Sequence, residues 1–269
     1  MEELKYEEIP ELRKGLESLG VTTESQNRLP IFEPTIRAKD GIRVFEGRYG
    51  KLLIQGRLGQ SHKNLLEVIF WKKEIYTFDE EDGIEFLKVA YDEMKIRKYL
   101  SQKSEYSYER YRELLKDMIR TYISLETNKL RIQGTLIMQI YESKVKRPTQ
   151  SRSPIIPKEV PLTVIKFGAV ATALFKNELR FTYDPKTIMG LRNGISQAVA
   201  RFLKTHKEHP EAGYHLRNLI ESLEGQIENK RWWKLREYLK EDSELLQKLG
   251  ITIDFKNDRV IVAESHKRH

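Results

Sequence analysis

The chain contains two stretches in which the same order of helices and strands is predicted, and this repetition limits the folds that it can adopt. Each stretch starts with an amphipathic helix, followed by a short strand, a second helix and a tight polar turn. A longer helix with a polar, partly basic start comes next, and two strands joined by a short turn end the stretch. The first copy covers about residues 60–141 and the second about residues 187–263. This order is that of a winged helix, a helix-turn-helix variant that sets one helix, here called the reading helix, into the DNA major groove.

The spacing of apolar residues places the elements of both copies. In the first copy the predicted elements are a helix over 62–71 capped by Ser61, a β-like stretch over 84–89, a helix over 91–100, a polar turn over 101–107, the reading helix over 108–119, and wing strands over 122–126 and 130–141. In the second copy they are a helix over 187–206, a strand over 213–216, a helix over 217–223, a turn over 225–230, the reading helix over 231–249 closed by Gly250, and wing strands over 251–255 and 259–262. The predicted fold class is therefore α+β, mainly α, with two tandem winged-helix domains.

A basic segment that contains prolines separates the two copies. We assign the chain to an N-terminal extension (1–40), winged-helix domain 1 (41–143), a linker (144–161), winged-helix domain 2 (162–264) and a basic tail (265–269). The linker includes KVKRPTQSRSPIIPK, which has three prolines, five basic residues and no acidic residue. Such a composition is typical either of a solvated linker or of an ordered arm that follows DNA, and the sequence leaves both open.

The charge of the chain favours a polyanionic partner. Its 48 basic residues exceed its 40 acidic ones, which gives a formal net charge of +8, and nucleic acid is the usual partner of such a chain. No apolar run approaches the roughly 18 residues that a membrane span requires, so we expect no membrane partner. Because the sequence has no cysteine, disulfides and thiolate metal sites are excluded. The acidic start is unlike a secretory signal, and we expect a cytoplasmic location.

The strongest local signal for DNA contact is the start of the second reading helix, which combines basic and amide side chains without an acid. The candidate contact residues there are Asn229, Lys230, Arg231, Lys234 and Arg236. Residues at the start of a reading helix reach base edges. Arg and Asn make paired hydrogen bonds to guanine and adenine, whereas Lys mostly holds phosphates. With Trp232 and Leu235 packed inward, we expect Lys230, Arg231 and Lys234 to be exposed. A solvated basic face on an ordinary helix is the alternative.

The corresponding part of the first copy is less basic. Its candidates for DNA contact are Ser104, Tyr106, Ser107 and Arg110. Glu105 and Glu109 would repel phosphate, so this helix is expected either to read bases more than to bind backbone, or to contribute little.

The turns of the two wings carry basic residues as well. The candidates are Lys129 and Arg131 in the first wing and Lys256 and Arg259 in the second. Such tips often lie along a phosphate backbone, although a solvated basic turn is an equally good explanation.

No enzyme motif is evident, and we expect a protein without enzymatic activity, cofactor or bound metal. Residues 47–51 lack the spacing of a phosphate-binding loop, and Leu52 stands where that motif needs Ser or Thr. His206 and His209 have a spacing that a metal could use, but no third ligand is evident nearby, and Pro210 ends the helix.

The chain resembles the replication initiator (Rep) family of iteron-containing plasmids. The resemblance lies in IQGRLGQSHKNLLEVIFW, YDEMKIRKYL and YSYERYRELLKDMIRTYISLE in the first half, and in GLRNGISQAVARFLKTH, GYHLRNLIESL and WWKLREYL in the second. It covers most of residues 40–263. These matches are patterns of helix, strand and apolar spacing more than invariant signatures.

The resemblance implies two winged-helix domains on one repeat of a plasmid origin, the opening of origin DNA and the recruitment of a host helicase. It also implies a dimeric form that represses its own gene and a monomeric form that initiates replication. Asn229, Lys230, Arg231 and Lys234 would make the main major-groove contacts. The first reading helix, near Ser107 and Arg110, would contact the other end of the repeat and also serve as a dimerisation surface. The weak basicity of that helix departs from the family pattern.

Two other functions fit the same sequence. One is a winged-helix transcriptional regulator or autorepressor without an initiation role, which tandem repeats beside the gene would argue against. The other is a winged-helix protein-interaction scaffold, which a steep salt dependence of DNA binding would argue against.

Overall fold

The structure is a computed structural model that describes residues 30–47, 50–100, 107–126, 131–146, 159–176, 183–206 and 208–263. Ser104, Tyr106 and Lys129, three of the candidate DNA-binding residues, lie outside these ranges. The described part of the chain has α+β architecture, in which helices pack on antiparallel sheets.

Helices and strands alternate along most of this part of the chain. The helices are α1 (Gln60–Lys72), α2 (Glu93–Leu100), α3 (Tyr108–Arg120), α4 (Ala169–Lys176), α5 (Lys186–Met189), α6 (Gly194–Lys204), α7 (Leu216–Glu224), α8 (Asn229–Glu241) and α9 (Ser243–Lys248). The strands are β1 (Ile42–Gly47), β2 (Gly50–Gln55), β3 (Ile75–Glu81), β4 (Ile84–Tyr91), β5 (Tyr122–Glu126), β6 (Arg131–Thr135), β7 (Ile137–Lys146), β8 (Glu159–Phe167), β9 (Tyr214–His215), β10 (Ile251–Asp254) and β11 (Arg259–Val262).

The strands form sheets that define two units. The sheets β1-β2-β5-β6 and β3-β4-β8-β7 belong with α1 to α4 to the first unit, residues 30–176. The sheet β10-β11-β9 belongs with α5 to α9 to the second unit, residues 183–263. Each unit has its own apolar core. In the first core, Phe70, Phe167 and Phe175 pack together with ring centroids 5.2 to 5.6 Å apart, a spacing at which aromatic rings attract each other.

The boundary between the units lies later in the chain than the sequence predicted. Strand β8 pairs with β4 and β7, and the side chains of Ile165 and Phe167 are buried in the first core. Val170 and Phe175 of α4 lie in the same core. Residues 162–176 therefore belong to the first unit, and the predicted start of domain 2 at residue 162 is wrong. The proline-containing segment connects two paired strands of one sheet and does not separate two domains.

The first predicted wing is also divided differently. The stretch 130–141 is not one strand, because β6 pairs with β5 whereas β7 pairs with β8 in the other sheet. The chain changes sheets at Leu136, which is buried and whose N–H donates to the carbonyl of Thr121. A continuous alternation of apolar residues cannot reveal such a change, because it gives no information about the partner strand.

Both long helices predicted in the second copy are interrupted, and one buried residue explains both interruptions. Asp242 lies between α8 and α9, and it is fully buried. Its carboxylate accepts hydrogen bonds from the backbone N–H groups of Arg192 and Asn193 at 3.0 and 2.9 Å. These two residues separate α5 from α6. The predicted closure at Gly250 agrees with the structure, where this residue has φ +80 and follows α9.

Residues 30–40 form a strap that is built into the first unit and contacts the second, so the predicted extension over 1–40 is wrong for these residues. The carbonyl of Thr35 accepts from the backbone N–H of Gln60 at 2.8 Å, at the start of α1. Gly194, the first residue of α6, lies so close that a Cβ there would be 2.5 Å from the Thr35 Cα. The hydroxyl of Ser61 donates to the carbonyl of Ile36. Ser61 is therefore not the cap of α1, which starts after Gly59.

A buried polar cluster, here called the junction, joins α1 to α6. Arg201 of α6 is 2% exposed and forms a two-bond salt bridge with Glu67 of α1, which is 0% exposed. The Arg201 guanidinium also donates to the side-chain oxygens of Gln60 (2.6 Å), Asn64 (2.5 Å) and Gln197 (3.4 Å). All five of its N–H groups thus have acceptors, which is what makes burial of a guanidinium tolerable. The junction holds the two units in one arrangement.

Lys63 extends the junction and is expected to make stability depend on pH. Its ammonium group is buried 3.8 Å from Glu67, and burial, which disfavours the charged form, lowers its pKa to about 7 in spite of the attraction of Glu67. The unfolded chain, with a pKa near 10.5 for this lysine, binds more protons than the folded chain between these values. The free energy of unfolding should therefore rise as the pH increases from about 7 to about 10.

We predict that Lys63→Met flattens this rise. Chemical denaturation at a series of pH values would measure it, with Lys116→Met, at an exposed position on α3, as the matched control. An unchanged pH dependence in the Lys63 variant would contradict the prediction.

Candidate nucleic-acid interface

The second reading helix, α8, presents a polar face with basic residues near its start. Trp232, Leu235 and Leu239 are buried in the second core, as the sequence predicted. The opposite face is exposed and includes Asn229, Lys230, Trp233, Lys234 and Glu237. Lys230 and Lys234 both precede the last two turns of the helix. Their positive charge therefore lies toward the end that a winged helix would present to DNA.

Lys230 and Lys234 are the two lysines of this face. They are spaced four residues apart, and therefore they lie on the same side of α8. The Lys234 ammonium lies 5.7 Å from the ring centroid of Tyr238, and the Asn229 side-chain oxygen accepts a 3.4 Å hydrogen bond from Arg217. Lys230 and Lys234 are exposed, as predicted. The contact of Asn229, Lys230 and Lys234 with DNA stays a prediction.

Arg231 is less accessible than predicted. Its guanidinium donates to the carboxylate of Glu224 on α7 at 2.7 Å. The pair lines a cleft of about 260 Å³ between the units, together with Glu33 and Arg43 of the first unit. Arg43 in turn forms a 3.3 Å ion pair with Glu33. The Glu224 carboxylate offsets the charge of Arg231, which weakens its attraction for a phosphate.

Arg236 is less accessible than predicted and has partners within the second unit. Its side chain is 14% exposed and donates to Asp258 at 3.0 Å and to the carbonyl of Phe255. Its guanidinium also lies 5.3 to 5.6 Å from the ring centroids of Trp232, Trp233 and Phe255. Arg236 thus fastens the β10–β11 turn to α8. Its contact with DNA stays a prediction, because a charge pattern cannot distinguish a free arginine from a paired one.

The β10–β11 turn, which is the predicted second wing, is held by hydrogen bonds and leaves its basic residues exposed. The Asp254 carboxylate accepts hydrogen bonds from the backbone N–H groups of Lys256 and Asn257 at 3.0 Å. The hydrogen bonds from the backbone N–H and from the side-chain amide of Asn257 are the main cause of the lowered pKa of Asp254. Asp258 takes up a positive φ of 56. Lys256 and Arg259 are exposed at this tip, beside α8.

The predicted residues of the first unit have local partners. Ser107 caps α3, and its hydroxyl accepts from the backbone N–H of Arg110 at 3.2 Å. The Arg110 guanidinium lies 3.4 Å from Glu113. Arg131 is exposed at the start of β6, 3.9 Å from Glu126. Ion pairs that are this exposed contribute little to stability and are easily exchanged for a phosphate.

The sequence analysis missed a second basic row. Arg112, Lys116 and Arg120 are exposed on α3 at a spacing of four residues, and thus follow one side of the helix. Within the part of the chain that the structure describes, none of the three forms a salt bridge. The spacing of these residues is visible in the sequence, but they lie beyond the first turn of the helix, where contacts to bases were expected. This row makes α3 more basic toward solvent than its first turn suggested.

Neither a metal site nor a membrane span is found in the described ranges. No three His, Asp or Glu side chains there are grouped as metal ligands. The Nδ1 of His206 lies 2.9 Å from the carbonyl of Phe202, and that of His209 lies 3.0 Å from the hydroxyl of Tyr214. Among the same residues, no helix combines the length and the apolar character needed to cross a bilayer.

Comparison with known proteins shows similarity in fold but not in sequence. No protein-family model matches the chain, and no curated protein does so either. Two crystal structures of domains 2 and 3 of RctB are similar to it. One, of selenomethionine derivatives, has 12% identity and a TM-score of 0.51, and the match covers 90% of this chain and 96% of that one. The other, of residues 155–483, has 10% identity and a TM-score of 0.49, with 89% and 87% covered. The first of these matches shows that the chain shares the fold of this pair of RctB domains.

Proposed function

We propose that the chain is a non-enzymatic replication initiator that binds specific duplex DNA through two winged-helix units. One observation carries the proposal: α8 exposes Lys230 and Lys234 on the face opposite its buried side, next to an ordered turn that exposes Lys256 and Arg259. The element order of the second unit is α6-β9-α7-α8-α9 followed by β10 and β11, and apart from the short helix α9 it is the order expected of a winged helix. The fold shared with domains of RctB, a replication initiator, also supports a role in initiation.

The remaining parts of the proposal follow from the resemblance to plasmid initiators. The DNA would be a repeated origin site (iteron) of a plasmid, α8 would make the main groove contacts, and α3 would contact the other end of the repeat. The protein would act in the cytoplasm, form a homodimer in its repressing form and recruit a host helicase after opening the origin. The exposed row of Arg112, Lys116 and Arg120 supports phosphate contacts by the first unit.

The test is selection of duplexes from a randomised library with the full chain, followed by fluorescence-anisotropy titration of the enriched duplex over a salt series. Enrichment of one sequence, with a scrambled duplex bound at least about 10³-fold more weakly, would support a specific DNA-binding protein. An origin-opening assay would then separate an initiator from a transcriptional regulator. Absence of any enriched sequence would contradict the proposal and favour a protein-interaction scaffold.

The double variant Lys230→Ala/Lys234→Ala should weaken binding to all duplexes about equally. Each lysine that neutralises a phosphate contributes about 0.9 to the slope of log K against log salt concentration, so we expect the slope to fall by about 1.8. Anisotropy at several salt concentrations measures it. The matched control is Lys39→Ala/Lys248→Ala, which removes the same charge at two exposed positions outside α8 and the wings. An equal loss in both double variants would mean that only net charge matters.

A further inference from the structure

Trp233 is the most exposed large aromatic residue among those that the structure describes. Its side chain is 61% exposed, whereas that of the adjacent Trp232 is 6% exposed and packs in the second core. It lies on the exposed face of α8, beside Lys230 and Lys234. Exposure of so much apolar surface is unfavourable in water, and neither core requires it. An exposed indole at this position therefore points to a binding role.

The Trp233 ring is held in place before any partner binds. The guanidinium of Arg236 lies 5.3 Å from its ring centroid, a distance at which a cation is attracted to the ring. Arg236 is itself fixed by Asp258 and by the carbonyl of Phe255. The ring is thus restrained by a guanidinium that is itself held by the β10–β11 turn. A restrained aromatic side chain loses little conformational entropy when it contacts a partner.

We propose that Trp233 is a specificity-determining residue that contacts the 5-methyl group of a thymine in the major groove. The inference rests on the proposed function, in which the exposed face of α8 enters that groove. The thymine methyl is the apolar feature of the major-groove code, and it is read by apolar side chains. Lys230 and Lys234, which are exposed beside Trp233 on this face, match phosphates. The same two lysines would repel a second copy of this face, so charge complementarity favours DNA over self-association as the occupant.

The test uses the full chain and the duplex selected from the randomised library. Each thymine of that duplex is replaced in turn by deoxyuridine, which removes only the methyl group. Burial of one such group corresponds to about a fourfold change in affinity. We expect one position at which deoxyuridine weakens wild-type binding about fourfold. Trp233→Ala should bind the unmodified duplex at least that much more weakly, and should no longer distinguish thymine from deoxyuridine at that position.

Controls separate this contact from other causes. Ile84→Ala removes an apolar side chain that is 47% exposed on the first unit, and it should leave the thymine preference unchanged. Circular dichroism should show that Trp233→Ala remains folded. A selected site in which no thymine is sensitive, or equal sensitivity in wild type and Trp233→Ala, would overturn the inference while leaving the proposed function standing. A loss of dimer in Trp233→Ala, with unchanged thymine preference, would overturn it in favour of self-association. Absence of any enriched duplex would overturn both.

Discussion

The Arg201→Met variant is expected to lose about 3–5 kcal/mol of unfolding free energy, because it removes from the fully buried Glu67 carboxylate the closest cation among the described residues, and the only one of them joined to it by two hydrogen bonds. The substitution also removes the guanidinium N–H groups that donate hydrogen bonds to the side chains of Gln60 and Asn64. Denaturant unfolding followed by circular dichroism measures it. Because the junction joins the units, we also expect their unfolding to separate into two transitions in this variant.

A second substitution shows whether the loss of stability comes from an unpaired buried charge or from lost packing. Arg201→Met combined with Glu67→Met should be more stable than Arg201→Met alone, since a buried ion pair replaced as a whole by apolar side chains costs little. The matched control is Arg217→Ala, which breaks a partly exposed salt bridge to Glu221 and a hydrogen bond to the carbonyl of Ile227 and should cost at most about 2 kcal/mol. If Arg201→Met were no worse than Arg217→Ala, the junction would not hold the units together.

Gly168→Ala should be the second most damaging of the substitutions considered, with a loss of about 3 kcal/mol, the upper end for an overfilled site. This glycine links β8 to α4, and its N–H donates to the carbonyl of Leu136. A Cβ at position 168 would lie 2.0 Å from the backbone oxygen of Thr135. Since that atom belongs to the backbone at the end of β6, it can move only by disturbing the sheet.

Gly134→Ala is the control for this variant. It lies in the neighbouring strand β6, and a Cβ there would have its nearest atom, the Val170 Cγ2, at 3.9 Å. Both substitutions reduce the freedom of the unfolded chain equally, so their difference reports the close contact at residue 168. Thermal unfolding of the two variants measures this difference. Similar melting temperatures would show that the β6 end and α4 can move apart at little cost.

The sequence was most informative where the determinants are local. The short helix α7, the start of α8, the closure at Gly250 and the β10–β11 hairpin all lie close to their predicted places, because apolar spacing and turn residues determine them within a few positions. The breaks at 190–193 and at 242 were not predictable in this way. They depend on one carboxylate that binds backbone groups about 50 residues away in the chain, and no local pattern marks that partnership.

The same distinction applies to the first unit and to the candidate interface. The pairing of β8 with β4 and β7 is long-range, so a proline-rich stretch was mistaken for a domain boundary. At the interface, burial of Trp232 and exposure of Lys230 and Lys234 follow from helical periodicity. The pairing of Arg231 with Glu224 and of Arg236 with Asp258 does not, because it depends on which acidic residues the fold brings near.

The junction has a consequence for experiments on isolated units. In the intact chain, Arg201 and Glu67 neutralise each other out of reach of solvent. If the units were produced as separate fragments, the second would display a cation, and the first an anion, that the whole protein conceals. The second fragment would then attract any polyanion through a side chain that the intact protein never offers to one. Fragment affinities would thus overestimate this unit's share of binding, and an arginine with no part in recognition would look as though it had one.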